Sequence, residues 1–405
     1  MATLKPARDN FIMVKTGLDR LLTETKFQNL CEGRLAYLCH APSVTGSLDS
    51  GVLALKELFG ERLAKLFGPQ HGFVGDVQDN MVETEDYVHP YFNLVIHSLY
   101  SETRVPTDKM LDGIDTIIVD LQDVGTRIYT YIYTMTLLMK KCAELGKRVV
   151  VLDRPNPING IDIEGNILEK GFRSFVGLHP LPVRHGMTIL EIAKMANDLW
   201  QNPCDLQLVP MLNWEREMSF EDTKLPWVIP SPNLPTIEAA YTFVGTVLYE
   251  GTNISEGRGT TRSLEVLGHP SLEPFAAHKE IEKACNLAGL SGFKLRPMIF
   301  LPTFQKHKDK ACGGYQIHVT DRRTFRPWRL SQILLRELYH RLGAEFKWKE
   351  PPYEYEYDHV PVDLINGTDK LRAWVETNGI NSYLDELEAQ SMPEFLRQRK
   401  SYLCY

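Results

Sequence analysis

Short apolar runs recur through the first half of this chain, and the stretches between them have the spacing of helices. Residues 34–39, 63–67, 94–99, 116–121 and 148–152 are runs of strand length, rich in Val, Ile and Leu. Between them, 50–60, 107–113 and 133–145 carry helix formers or helical periodicity. A strand that is apolar at consecutive positions is buried on both faces. Strands of that kind alternating with helices predict a parallel sheet covered by helices on each side. Asp115-Thr-Ile-Ile-Val-Asp120 is the clearest such strand, with Asp120 at its carboxyl end, the edge where open α/β sheets collect ligands.

The pattern continues with a helix over 188–200, where Thr188 and Glu191 have the spacing of a capping box. A strand follows over 206–211. Beyond that the alternation fades. A strand over 315–319 and an amphipathic helix over 330–342 suggest an α+β companion. The expectation is therefore a Rossmann-like α/β domain over 1–205 and a second domain over 206–405. No GxGxxG follows the early strands and no Walker A pattern occurs, so the sheet has no dinucleotide fingerprint and no cofactor is expected.

Composition narrows the function classes. A length of 405 residues with 43% hydrophobic content can bury the cores of two domains. The net charge of -7 argues against general nucleic-acid binding, which needs a basic stripe. No run approaches the roughly 20 apolar residues of a membrane helix. The polar segment 1–20 lacks a signal-peptide core, and seven scattered cysteines form no CxxC pair. These features read as a cytoplasmic protein with reduced thiols. HExxH and GxSxG are also absent, which leaves carboxylates as the main candidates for chemistry.

Five polar clusters stand at predicted strand ends or turns. The richest is 249–260, Tyr-Glu-Gly-Thr-Asn-Ile-Ser-Glu-Gly-Arg-Gly-Thr, after an apolar run at 243–248 that reads as a buried strand. It offers Glu250, Asn253, Glu256 and Arg258 among glycines that let backbone approach a ligand. Gly68-Pro69-Gln70-His71-Gly72 follows the second strand, and His71 suits proton transfer or sugar hydrogen bonding. Asp120, Gln122, Asp123, Arg127, Tyr129 and Tyr131 form a third cluster; Arg127 fits either a ligand or a buried pair with one of the aspartates. Asp153 and Arg154 suit holding a proline-stiffened turn. Arg184 and His185, before the capped helix, complete the five; apart from these, Ser231 and Asn233 lie in a Pro-rich loop. A metal site from His71, Asp120 and His185 is a weaker arrangement of the same residues, and none is expected.

In order along the chain, FGPQHGF, DLQDVGTR, LDRPNP, PVRHGMT, SPNLPT and EGTNISEGRGT resemble the DUF1343 family of NamZ-like exo-β-N-acetylmuramidases. The resemblance runs from about residue 17 to 405. It implies a cleft between the two domains and release of N-acetylmuramic acid from the non-reducing end of peptidoglycan fragments, hence a small sugar or wall-fragment partner. Glu250 and Glu256 are then the expected catalytic carboxylates, with His71 beside them. Asp120, Asp123, Tyr129, Asn233 and Asn253 are expected to hold the sugar, and Arg127, Arg184 with His185, and Arg258 to grip the lactyl carboxylate. The family usually has Glu where this chain has Gln70, and an amide neither donates an acidic proton nor attacks as a carboxylate. Asp76, Glu83 and Glu85 are the nearby acids that would substitute. The alternatives are a catalytically impaired muramic-acid binding protein and a metal-dependent hydrolase.

Overall fold

A computed structural model of the chain describes residues 12–73, 75, 85–101, 103–200 and 202–405. Six strands form in the first stretch: β1 (Leu35–Cys39), β2 (Leu63–Gly68), β3 (Tyr87–Val88), β4 (Val95–Ser98), β5 (Thr116–Asp120) and β6 (Arg148–Leu152). A hairpin of β7 (Glu164–Ile167) and β8 (Pro182–Arg184) then leaves the sheet before β9 (Asp205–Val209) rejoins it. The sheet order is β3-β4-β2-β1-β5-β6-β9, parallel throughout except for β3 at its edge. All five residues of β1 and of β5 are buried, which is what a strand covered on both faces requires. The predicted capping box is present: Thr188 Oγ1 accepts the Glu191 N–H at 3.3 Å, and Glu191 accepts the Thr188 N–H at 3.0 Å.

The second half packs helices on a three-stranded antiparallel sheet. Its strands are β10 (Val266–His269), β11 (Phe293–Phe300) and β12 (Cys312–Val319), in the order β10-β12-β11. This is the expected α/β unit with an α+β companion. The 205/206 division expected from the sequence passes through β9, which pairs with β6 in the first sheet. A single apolar core runs across both halves, from Leu38 and Phe67 through Tyr129 and Tyr241 to Leu334 and Leu364.

One sequence expectation is corrected. The run 243–248 is not a strand. Helix Ile237–Thr246 covers most of it, with Thr236 capping the Ala239 N–H at 3.1 Å, and a 3-10 turn, Val247–Gly251, finishes it. Every residue from Ala239 to Gly251 is buried, so the segment has no polar face and shows no period to read. Gly245 is required there: a Cβ would stand 2.1 Å from the Pro327 carbonyl oxygen, where helix Pro327–Leu342 begins. Six of the seven cysteines are buried, and all are unbridged. Among the described residues no helix is long and apolar enough to cross a membrane.

Candidate active site

The two halves meet at a cavity of about 480 Å³, mouth included. The turn after β2 contributes Gln70 and His71, and the approach to helix Tyr131–Glu144 contributes Tyr129, Thr130 and Tyr131. Ser231 and Asn233 come from the Pro-rich loop; Glu250, Arg258, Tyr353 and Glu354 come from the second half. The size is that of a small-molecule site.

Glu250 is delivered by the 3-10 turn and is 6% exposed. Burial alone would raise its pKa. That effect is outweighed by the Arg258 guanidinium, whose Nη2 donates to Oε1 at 2.5 Å, and by the Tyr353 hydroxyl at 2.8 Å from Oε2. The carboxylate is held below its usual range, ionised. Arg258 sits between Gly257 and Gly259, both at positive φ (77° and 79°). Its Nη1 is buried without a hydrogen-bond partner among the described residues. Glu256 does not line the cavity. It lies 3.2 Å from Arg258 Nε and accepts from Lys306 Nζ at 2.7 Å.

Gln70 accepts from the Thr130 hydroxyl at 2.7 Å, which turns its amide nitrogen toward Glu354 Oε1 at 3.5 Å. His71 follows it at a positive φ of 69°. The Tyr129 and Tyr131 rings line the wall while their hydroxyls donate to the Pro230 carbonyl at 3.0 and 2.9 Å.

Several expected ligand groups are instead used by the fold. Both Asp120 oxygens are taken, by Tyr37 and by a bidentate Arg154. Asp123 accepts the Gly125 N–H at 2.7 Å and lies 3.3 Å from His185 Nε2; both side chains are buried. Arg127 is fully buried and donates to four carbonyls, those of Asn166 and Leu181 and, from the second half, Ile365 and Asn366. The last two close helix Pro361–Asn366, where a cation suits the helix dipole. Arg184 donates to the Ile158 carbonyl and pairs with Asp162. Asn253 spans to the Glu345 carbonyl and the Lys347 N–H. None of these seven side chains, Glu256 included, lines the cavity. His71, Asp120 and His185 do not converge, and among the described residues no cluster suits a metal ion. Of the acids named as substitutes for Gln70, Glu85 is exposed; Asp76 and Glu83 lie outside the described residues.

Sequence reasoning missed Glu354. It is 6% exposed in the cavity wall, and both its oxygens accept from the Tyr100 hydroxyl, at 2.9 and 3.1 Å. Burial, opposed by the Tyr100 hydroxyl and reinforced by the Glu250 charge, pushes its pKa up to about 7. The one sequence signal was the acid-rich Tyr-Glu-Tyr-Glu-Tyr-Asp at 353–358, which lies far from every other cluster.

A cavity between two halves, with buried carboxyl groups of opposed ionisation beside an arginine, is the kind of site used for glycosidic cleavage. Residues 35–238 match the N-terminal family of the exo-β-N-acetylmuramidase NamZ, and residues 241–405 match its C-terminal family. The chain is 40% identical to the peptidoglycan β-N-acetylmuramidase NamZ of Bacillus subtilis (strain 168), over 97% of this chain and 91% of that protein. Crystal structures of two DUF1343 proteins from Bacteroides fragilis share the fold. BF0371 is 29% identical with a TM-score of 0.84, and BF0379 is 27% identical with a TM-score of 0.71; each match covers 97% of this chain and 99% of that one. The chain belongs to the NamZ exo-β-N-acetylmuramidase family.

Proposed function

We propose that this chain is an exo-β-N-acetylmuramidase, a glycosidase that releases N-acetylmuramic acid from the non-reducing end of peptidoglycan fragments in the cavity between its halves. The observation that carries the reading is the pair Glu250–Arg258. An ionised carboxylate and a guanidinium with an unspent Nη1 share one cavity wall, facing Gln70 and His71 of the other half. Cleavage passes through an oxocarbenium-like state, and a fixed buried carboxylate stabilises the positive charge that develops there. The free Nη1 suits the lactyl carboxylate that distinguishes muramic acid from glucosamine. Asn233, Ser231 and the Tyr129 and Tyr131 rings supply hydrogen bonds and apolar faces for the pyranose.

The working division between halves lies at the start of helix Ile237–Thr246, since β9 completes the first sheet. Seven unbridged cysteines support a reducing compartment, and the cytoplasm is the one we propose.

Purified protein is expected to release the sugar from a chromogenic β-N-acetylmuramide and to leave the matching N-acetylglucosaminide largely intact. Gln70 favours one rival, a muramic-acid binding protein without turnover. Calorimetric binding of muramic acid with no sugar release would replace the glycosidase reading with that one.

A further inference from the structure

Resting on the glycosidase reading, we propose that Glu354 is the proton donor to the leaving-group oxygen, with Tyr100 and Gln70 as the residues that position it. Glu250 and Glu354 are the two carboxyl groups lining the cavity among the described residues. Glu250 is committed to Arg258 and Tyr353 as an ion pair. Gln70, whose turn faces them, is an amide and has no acidic proton. Glu354 accepts from the Tyr100 hydroxyl and the Gln70 amide, with Arg104 acting on it electrostatically.

The backbone around Glu354 is built for presentation. Glu354 and Tyr355 both adopt left-handed conformations, at φ 47° and 65°, which side-chain-bearing residues rarely do in succession. Such conformations persist where the surroundings over-determine them, commonly at functional sites. Here Tyr353 and Glu356 exchange backbone hydrogen bonds of 2.9 Å across the turn. Three consecutive side chains then anchor it: Tyr353 on Glu250, Glu354 on Tyr100, and the Tyr355 ring under the Arg104 guanidinium at 3.7 Å. Tyr100 and Gln70 belong to the first half and the turn to the second, so the donor is complete only when the halves are together.

The upward pKa, to about 7, keeps a proton on Glu354 near neutrality while Glu250 stays ionised. In the step, the bond from the anomeric carbon to the leaving oxygen breaks with both electrons going to that oxygen, which takes the Glu354 proton. A water oxygen forms the new bond to the anomeric carbon. The proton it sheds restores Glu354 through solvent, so the sum is addition of one water.

The test uses the full chain and two β-N-acetylmuramides. A dinitrophenyl glycoside has a leaving group that needs little protonation, whereas the disaccharide with N-acetylglucosamine needs it fully. For Glu354→Gln, the expected fall in kcat/KM is about 10²–10⁴-fold on the disaccharide and under about tenfold on the dinitrophenyl glycoside. The fall of wild-type activity as pH rises through about 7 should be lost in that variant. The groups facing Glu354 are Tyr100, Arg104, Gln70, Glu250 and Tyr353, with His71 and Arg258 on the same cavity. Arg258 and Glu250 stay charged across this range, which leaves Glu354 and His71 as the groups to separate. Tyr100→Phe removes a donor that favours the carboxylate, so it should move the alkaline limb upward, and Gln70→Ala should move it less. Equal losses on both substrates with an unmoved limb would overturn the assignment, as would transfer of the leaving-group dependence to His71→Asn. Should Glu354→Gln misfold by circular dichroism, Glu354→Asp is read by the same two criteria. Wild-type protein inactive on both glycosides would sink the glycosidase reading itself, a different failure from a leaving-group-blind Glu354.

Discussion

Two acid-and-arginine clusters lie on the first sheet's ligand side, and they are built differently. At the carboxyl ends of β1 and β5, where the strand order reverses and α/β proteins place ligands, the acid is tied up in bonds of the fold. Asp120 is fully buried; Arg154 holds it at 2.5 and 2.9 Å, Tyr37 donates at 2.6 Å, and Ser43 takes its backbone carbonyl at 2.6 Å. Around Glu250 the arginine keeps a donor in reserve, and burial pushes the pKa of the neighbouring Glu354 up to about 7. A polar cluster whose bonds are internally satisfied holds a fold together. One with unspent donors and divided protonation can work on something else. The acid at the crevice this sheet offers by topology is bonded within the fold, whereas the cavity holding Glu250 and Glu354 lies at the turn after β2, where the second half reaches it.

Exchanging carboxylate for amide at each cluster tests the contrast directly. Glu250→Gln should lower kcat/KM by about 10³-fold, as loss of a preorganised charge facing the reacting centre does, with a smaller loss of urea stability than at Asp120, since Arg258 keeps the Glu256 carboxylate at 3.2 Å. Asp120→Asn should do the reverse. It leaves a buried Arg154 without its counter-charge and should cost about 3–5 kcal/mol of stability, while activity per folded molecule stays close to wild type. A large activity loss in folded Asp120→Asn would mean the sheet edge takes part in the chemistry after all. Smaller in size, Arg258→Lys keeps a positive charge but loses the planar fork. The preference for muramide over glucosaminide, read as a ratio of kcat/KM values, should then fall by about 10–100-fold, the worth of one charge-assisted hydrogen bond. An unchanged ratio would take the lactyl carboxylate away from Arg258.

Much of the fold was legible because the local signals agree with the tertiary outcome. The apolar runs became β1, β2, β4, β5 and β6, and the Thr188–Glu191 spacing became a real cap. The segment 243–248 misled because a helix buried on every side has the same composition as a buried strand. The site was legible in part. Gln70, His71, Tyr129, Asn233, Glu250 and Arg258 meet in one cavity, from loops far apart in sequence. Arg127 could not be told from a ligand arginine, because its acceptors are carbonyl groups supplied by distant backbone, in one case 239 residues away; Arg184 is spent on the Ile158 carbonyl and the Asp162 carboxylate. Glu354 was hidden for a similar reason. Its importance lies in a left-handed turn and in a bond to Tyr100, 254 residues earlier, and neither leaves a local pattern.

A third buried acid sharpens the contrast through stability alone. Glu164 on β7 has one oxygen accepting the Arg329 N–H at 2.9 Å, where helix Pro327–Leu342 meets the first half, and its other oxygen has no hydrogen-bond partner among the described residues. Burial, opposed by that N–H and by Arg184, pushes its pKa from 4.5 up to about 8. Between those values the folded chain holds a proton that the unfolded chain releases, so stability falls as pH rises through the whole window. For this group alone the slope approaches about 1.4 kcal/mol per pH unit. Glu164→Gln carries the neutral form permanently and removes that contribution. Its urea midpoint should therefore gain on wild type between pH 5.5 and pH 7.5, while the alkaline limb of activity stays where Glu354 sets it. Parallel loss of midpoint in both proteins over that interval would mean that Glu164 is already ionised in the fold.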